Sequence, residues 1–262
     1  AGGTNVYTGA IIYDHATNHM SLHTNSGAER MRIDSAGRLL INHTADTAAG
    51  GYASILQVCD TSYQGSSISL RRDGGTGGPA LVFGKSRSSS KGGVDIVSSG
   101  DNLGSVSFYG ADGTDVATPA AQIRCEVDGT PGSNDMPGRI IFATTADGAA
   151  STTERMRIDS SGRMGLGTNS PEEILHVAAA SETVNSRDGV MFQSTSSLAA
   201  DTGLPLVFTS HIGNLANYGV ASIAGRKENA TSGEAGGYLQ FATGNAAGAI
   251  TEKMRITSSG RL

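Results

Sequence analysis

Hydrophobic and polar residues alternate along short stretches of this chain, and the clearest alternation lies in a segment that occurs three times. In the middle copy, Met156 and Ile158 have one parity, whereas Arg155, Arg157 and Asp159 have the other. Successive side chains of a β-strand point to opposite faces of the sheet. The pattern therefore predicts a strand with one apolar face and one charged face.

The residues that follow each of these strands favour a tight turn. Asp159 and Gly162 occupy the first and fourth positions that Asp and Gly prefer in a type I turn. Beyond this turn, Met164 and Leu166 return to the parity of the apolar side chains, which predicts a β-hairpin. The predicted turn residues are Asp34, Gly37, Asp159, Gly162 and Gly260. The predicted core residues of the repeat are Met31, Ile33, Met156, Ile158, Met254 and Ile256.

The remaining sequence is rich in short strand patterns and turn signals. Strands are predicted within residues 105–108 and 238–241, and the residues after Pro171 are the best candidate for a short helical turn. Turns are predicted at Asp73-Gly74, Asp112-Gly113, Asp128-Gly129 and Asp147-Gly148. Many short strands with glycine-rich turns predict an all-β fold: a sandwich, a barrel or a solenoid.

Segments around the repeated hairpin also recur, in the same order each time. Residues 55–58, 80–83 and 139–144 are similar to residues 174–177, 205–208 and 238–243, respectively. The repeat predicts three modules: 1–37 as the end of a preceding module, 38–163 as the first full module and 164–262 as the second, truncated at its end.

Composition indicates that one copy of the chain lacks the means to build a large core. Leu, Ile, Val and Phe together make up 50 of the 262 residues, glycine 37, and tryptophan is absent. The net charge of only −5 gives little electrostatic repulsion to keep the chain open. Because few bulky side chains offset the entropy of ordering, we expect several identical chains to share one thin core.

Several classes of function receive no support from the sequence. The mild acidity argues against nucleic-acid binding, and the absence of a long apolar run argues against insertion into a membrane. Cys59 and Cys125 are expected to be reduced thiols rather than a disulfide, and no cofactor is expected. The chain starts at Ala1 without an initiating Met and ends at Leu262 inside the third hairpin, so we expect a fragment of a longer polypeptide.

The middle repeat resembles a known family. Residues 154–168, followed by Pro171 and by Leu175-His176-Val177, are similar to the linker repeat of tailed-bacteriophage tail fibres and tailspikes. The resemblance implies an elongated, modular, interleaved homotrimeric β-fibre: a β-prism, a triple β-helix, or small sandwiches along a threefold axis. The first copy departs from the pattern after Arg38, and the family's intramolecular chaperone domain, with its self-cleaving serine, has no counterpart here.

Two groups of residues could form a site, and each also has a simpler interpretation. His15, His19 and His23 are four residues apart, so a continuous strand would present them on one face, and a threefold axis would form rings of imidazoles suited to a metal ion. The simpler interpretation places them as solvated or packed side chains around a turn near Thr17 and Asn18. The repeated Glu, Arg and Asp residues of the hairpin are interpreted as an ion-pair network rather than as a binding patch.

These observations predict a virion fibre protein rather than an enzyme. The expected partners are two identical chains, other tail or baseplate proteins, and a host-surface glycan or receptor; the expected location is the virion. One alternative is a polysaccharide-degrading tailspike, acting as a hydrolase or lyase. Such an enzyme needs a pair of catalytic carboxylates and an aromatic platform for the sugar. Here the acidic residues stand at turns and aromatic residues are few. Another alternative is a surface adhesin that does not come from a phage.

Overall fold

The regular structure is entirely β within the residues described by the computed structural model, which are 9–25, 27–179, 190–195, 197, 199–212, 215–245 and 249–262. Those residues form fifteen strands and no helix, so the predicted all-β class is confirmed and no helix there can cross a membrane. The strands are β1 (Gly9–Asp14), β2 (His19–Thr24), β3 (Ala28–Ile33), β4 (Leu39–Ile41), β5 (Leu56–Val58), β6 (Asn102–Tyr109), β7 (Pro119–Val127), β8 (Gly138–Thr145), β9 (Thr152–Ile158), β10 (Met164–Leu166), β11 (Leu175–Val177), β12 (Pro205–Ile212), β13 (Leu215–Lys227), β14 (Gly237–Gly244) and β15 (Ile250–Ile256).

Each sheet is a meander, in which strands that follow one another along the chain also pair. One compact unit, residues 1–179, contains a sheet of β1–β5 and another of β6–β11; a second unit, residues 180–262, contains the sheet β12–β15. None of the three sheets closes into a barrel. The boundary between the two units, at residues 179 and 180, separates groups of residues that contact one another. The three modules proposed from the sequence stay a prediction.

The repeated hairpin continues into a short parallel strand in the first two sheets. β4 pairs with β5, and β10 with β11, in parallel orientation. Only residues 167–174 separate β10 from β11, which is shorter than a typical parallel crossover. Gly167 makes this close return possible: it has φ of 72°, and a Cβ there would lie 2.0 Å from the carbonyl oxygen of Ala178. The residues after Pro171 contain no helical turn.

A β-bulge occurs at the same position of all three repeats. The register shifts between Leu22 and His23, between Phe142 and Ala143, and between Phe241 and Ala242, which leaves the second residue of each repeat unpaired. The bulge changes which side chains of the repeat share a face of the strand. Arg155 does not share the face of Arg157 but donates from Nε to the Thr144 hydroxyl at 3.0 Å. The bulge instead brings Glu154 to the face of Arg157, because an extra residue reverses the strand's alternation.

Several of the most buried side chains lie on the polar face of the sheets, opposite the Met and Ile side chains of the repeat. Ile141 is 1% exposed and stands between Arg124 and Arg157 on the neighbouring strands. Leu40, which is fully buried, stands between Arg32 and Gln57. The aliphatic stems of such long side chains cover apolar neighbours while their charged ends pair at the surface. Each sheet therefore closes its polar face with its own side chains.

Candidate assembly surface

Rows of apolar side chains cross the first sheet on the face opposite its buried polar side. Leu22 is opposite both Ile11 and Met31, and Met31 is also opposite Ile41. One full row consists of Ile11, Leu22, Met31, Ile41 and Val58, and the other of Tyr13, Met20, Ile33, Leu39 and Leu56. Directly opposed side chains on one face lie within contact distance. Met31 and Ile33 are therefore central members of a continuous apolar surface.

The other two sheets repeat this arrangement. In the β6–β11 sheet, one row consists of Val106, Ile123, Phe142, Met156, Leu166 and Val177, and the other of Gly104, Cys125, Ile140, Ile158, Met164 and Leu175. In the β12–β15 sheet, Leu206, Ile223, Phe241 and Met254 form one row, and Leu239 is opposite Ile256. We call these three surfaces the apolar faces. All six predicted core residues belong to them.

The apolar faces are open to solvent in the single chain. Ile11 is 75% exposed, Leu56 52%, Ile140 44% and Met254 41%. Contiguous apolar patches of this kind are uncommon on soluble monomers and mark sites of interaction. Sequence reasoning named the Met and Ile positions of the repeat, whose burial in a core stays a prediction, and it missed their row partners on β1, β2, β7 and β8. The sequence did contain a signal for these partners, because Met20 and Leu22, like Ile140 and Phe142, are two residues apart and so share a face of a strand.

The three hairpin turns share one backbone geometry. The amides of Gly37, Gly162 and Gly260 donate to the carbonyl three residues earlier at 2.9, 3.0 and 2.9 Å. The three glycines have φ of 78°, 77° and 77°, a conformation that side-chain-bearing residues rarely adopt. This is a type I turn followed by a left-handed glycine. The turn fixes the register that brings the two strands of the hairpin into the apolar rows.

A side-chain acceptor at the first turn position stabilises the hairpin. Asp159 accepts hydrogen bonds from the amides of Ser161 and Arg163 at 2.9 and 2.8 Å and forms an ion pair with the Arg163 guanidinium at 2.9 Å. Asp34 makes the corresponding bonds in the first copy. In the third copy a hydroxyl replaces the carboxylate, and Thr257 Oγ1 accepts from the amide of Arg261 at 3.1 Å.

These bonds lower the pKa of both aspartates. Burial raises the pKa of Asp159, but the hydrogen bonds from the Arg163 amide and side chain and from the Ser161 amide outweigh it. The pKa therefore lies below the ordinary value of 3.8. The same opposed causes, with Arg38 and Ala36 as donors, hold the pKa of Asp34 below 3.8. Both carboxylates are ionised at neutral pH.

A second carboxylate contacts the turn in each of the last two copies. It comes from the loop that precedes the strand next to the repeat. Asp128 accepts from the Ser160 amide at 2.8 Å, and Glu228 accepts from the Ser258 amide at 2.7 Å. Asp128 also pairs with Arg139 at 2.8 Å. These two contacts join the tip of the hairpin to the rest of its sheet.

Ion pairs and hydrogen bonds on the polar faces are formed within the chain. Glu29 pairs with Arg32, Glu154 with Arg157 and Glu252 with Arg255, each at 2.5 Å. In the middle sheet, Glu126 additionally pairs with Arg124 at 2.6 Å and with Arg139 at 2.7 Å. No buried side-chain nitrogen or oxygen of the described residues lacks a partner. The polar faces are thus closed by contacts within the chain, whereas the apolar faces leave side chains such as Ile11 and Ile140 exposed.

The three histidines proposed for a metal ring do not lie on one continuous strand. Residues 15–18 form the turn between β1 and β2, so His15 lies outside the strand that carries His19 and His23. His23 is hydrogen-bonded on both ring nitrogens, to Ser21 Oγ at 2.9 Å and to the Gly27 carbonyl at 2.9 Å. Among the described residues no three His, Cys, Asp or Glu side chains form a metal-binding group. The interpretation of these histidines as solvated or packed side chains around a turn stays the preferred prediction, and the ring of His15, His19 and His23 stays its untested alternative.

The turn aspartates have structural hydrogen bonds. Asp112 accepts from the amides of Thr114 and Asp115 at 2.8 and 3.2 Å, as expected for an Asp-Gly turn. The glycines of all four predicted Asp-Gly turns have positive φ. Cys59 and Cys125 are both free, so no disulfide joins the strands.

Comparisons with known proteins identify no family. No protein-family model and no curated protein matches this sequence. Two matching solved structures come from the carboxy-terminal domain of the bacteriophage T5 L-shaped tail fibre. One is 12% identical with a TM-score of 0.34, and the match covers 74% of this chain and 89% of that chain. The other includes the intramolecular chaperone domain and is 11% identical, with a TM-score of 0.38 and coverage of 74% and 61%. Both TM-scores are below 0.5.

Proposed function

We propose that this chain is a structural segment of a phage tail fibre, which assembles as a homotrimer through its apolar faces and supports attachment of the virion to its host. The observation that carries the proposal is the contrast between the two sides of every sheet. One side is closed by ion pairs within the chain, and the other exposes continuous rows of apolar side chains. Exposed apolar surface is unfavourable in water, so its burial between chains would stabilise an assembly.

The number of chains and the location in the virion rest on the sequence resemblance. The repeat at residues 154–168 is similar to the linker of phage fibres, which occurs along trimeric shafts. Three chains around one axis bring three apolar faces together. The repeated hairpin then gives a unit that can be stacked along the shaft. Host-surface glycans or receptors, and other tail proteins, are the partners proposed for such a segment.

A charge placed in the middle of an apolar face tests the proposal. Ile158→Asp adds one carboxylate per chain at the centre of the β6–β11 face, where burial without a partner is costly. The parent should sediment as three chains at micromolar concentration, and the variant should not assemble. Ser151→Asp adds the same charge in the exposed loop before β9 and should leave the trimer intact. An Ile158→Asp trimer that melts like the parent would refute the proposed interface.

We also propose that this segment acts without catalysis. Asp112 and Asp128 are hydrogen-bonded in turns, an arrangement that fixes loops rather than a reacting sugar. The test is incubation of the purified assembly with host capsule or lipopolysaccharide. Reducing ends or unsaturated sugar products should stay at the level of a heat-inactivated control. Their release above that level would assign the protein to the polysaccharide-degrading tailspikes.

A further inference from the structure

Residues 66–85 lie entirely on the surface, although their sequence has the pattern of a β-hairpin. Ile68 and Leu70 alternate with serines, Asp73-Gly74 begins a glycine-rich turn, and the apolar run 80–83 follows. Every residue from 66 to 85 is exposed. Ile68 is 71% exposed and Val82 82%. Alternating apolar residues of this kind are typical of a half-buried strand and not of a solvated loop.

The backbone of this segment belongs to no strand. The stretches 67–73 and 77–88 contain no turn, no bend and no residue with positive φ. Within the described part of the chain, no backbone-to-backbone hydrogen bond involves residues 68–86. Connections of this length without their own secondary structure are uncommon in compact domains. The composition also differs from that of disordered segments, which have few apolar residues.

Both ends of the segment are attached to the first unit. At one end, Asn42 Nδ2 donates to the Gly65 carbonyl at 3.4 Å and to Asp60 at 3.2 Å. At the other end, the Arg87 guanidinium forms two hydrogen bonds of 2.7 Å with the Asp101 carboxylate. Residues 66–86 are thus attached to the unit at both ends. Between these ends Phe83 lies against Gly104 of β6, where an added Cβ would be 2.6 Å from the Phe83 Cβ.

A similar sequence forms a paired strand in the second unit. Residues 80–83 read Ala-Leu-Val-Phe, and residues 205–208 read Pro-Leu-Val-Phe. The latter begin β12, where Leu206, Val207 and Phe208 pair with residues of β13. The same short sequence therefore forms an antiparallel ladder when a neighbouring strand is available.

The charge of the segment and an open sheet edge indicate that the segment pairs with a second copy of this chain. Residues 67–97 contain five Lys or Arg and two Asp, a charge of +3, while the whole chain has −5. The segment is thus positive, whereas the remainder of the chain has a net charge of −8, so the segment is attracted to the rest of a neighbouring copy. Each copy also offers an open sheet edge, because β6 pairs with β7 on one side and with no strand of the described residues on the other. Edge strands readily accept another strand through their free amides and carbonyls.

We infer that residues 67–72 and 79–87 of one chain form β-strands with a second copy of the chain. This inference rests on the proposed homotrimer and specifies which segment crosses between its subunits. In the assembly, Ile68, Leu70 and Leu81 become covered, as does the part of Phe83 that Gly104 leaves exposed. The glycine-rich residues 73–78 form the loop that joins the two strands.

Hydrogen exchange of the assembled protein tests this inference. Amides that are bonded across subunits should exchange at least about a hundredfold more slowly than unstructured amides in residues 67–72 and 79–87. The amides of 73–78 are an internal control and should exchange freely. If the protein sediments as a trimer and 67–87 exchange like an unstructured peptide, the inference is wrong and the trimer stands. If the protein sediments as a monomer, both proposals fail.

Photo-crosslinking identifies the strand's neighbour. A benzoylphenylalanine in place of Val82 should yield covalent dimers and trimers on illumination, whereas the same residue in place of Thr76 should yield at most traces. Each variant is first shown to sediment like the parent. Crosslinks confined to single chains would overturn the inference even if the amides were protected, because the pairing would then lie within one subunit.

Discussion

The sheets β6–β11 and β12–β15 share one central ladder but differ at its edge. In both, a phenylalanine of the middle strand stands between an isoleucine and the methionine of the repeat: Phe142 in the first, Phe241 in the second. Both have the bulge, the Glu–Arg pair and a carboxylate on the hairpin turn. The edge strand differs. The second sheet uses the Pro-Leu-Val-Phe strand β12, whereas the first uses β6, and its own Ala-Leu-Val-Phe stretch, 80–83, stays unpaired.

This difference shows that the apolar row, and not the identity of one strand, is the constant feature. Val106 of β6 and Leu206 of β12 occupy the same place at the end of equivalent rows. The first unit thus has one strand-forming sequence more than its own sheet uses. We attribute the surplus to pairing between subunits, which the second unit does not need at this position.

The largest effect is expected from truncating the two equivalent phenylalanines. Phe142→Ala and Phe241→Ala should each cost about 3–5 kcal/mol per chain if both apolar faces are buried in the assembly. Denaturant unfolding of the assembled protein measures both. Tyr63→Ala is the control, because Tyr63 is 90% exposed and its loss should cost less than about 0.5 kcal/mol. A small cost at Phe142 with a large one at Phe241 would restrict the buried interface to the second unit.

A smaller effect is expected at the turn glycines. Gly162→Ala and Gly260→Ala place a side chain on a residue with φ of 77°, which costs about 1–2 kcal/mol. Nothing lies within 4 Å of a Cβ at either position, so the cost is conformational and not steric. Thermal unfolding should show similar losses for both variants and almost none for Ser161→Ala. Unequal losses would mean that the two hairpins contribute differently to the folded state.

The smallest effect is a pH dependence of stability, which the turn residue of the middle hairpin should cause and that of the third hairpin should not. The folded pKa of Asp159 is below 3.8, so its stabilisation is fully present above that value and is lost as the pH falls through the folded pKa. Asp159→Asn should therefore lower stability at pH 7 by about 0.5–1 kcal/mol, and the difference from the parent should shrink near pH 3. Thr257→Ala, at the equivalent turn position, removes a group that does not ionise. Its difference from the parent should be the same at both pH values, and a constant difference for Asp159→Asn as well would contradict the assigned pKa.

Much of the repeat was predictable because it depends on local rules. The parity of Met156 and Ile158 and the preference of Asp and Gly for a type I turn define the hairpin without any tertiary contact. The bulge at Arg155 was not predictable, because an unpaired residue shows only against its partner strand. The parallel return to β11 over eight residues depends on Gly167 lying against Ala178, a contact absent from any local pattern. The cover of Ile141 by two arginines likewise requires the full register of three strands.

The mass of the refolded chain in solution tests the central claim most directly. Sedimentation equilibrium or native mass spectrometry at micromolar concentration should find three chains of 26.6 kDa in one folded particle. The particle should retain this composition on dilution, because the shared apolar faces are expected to form a permanent interface. A cooperatively folded monomer of 26.6 kDa would show that the chain buries its apolar faces alone, and would contradict the account.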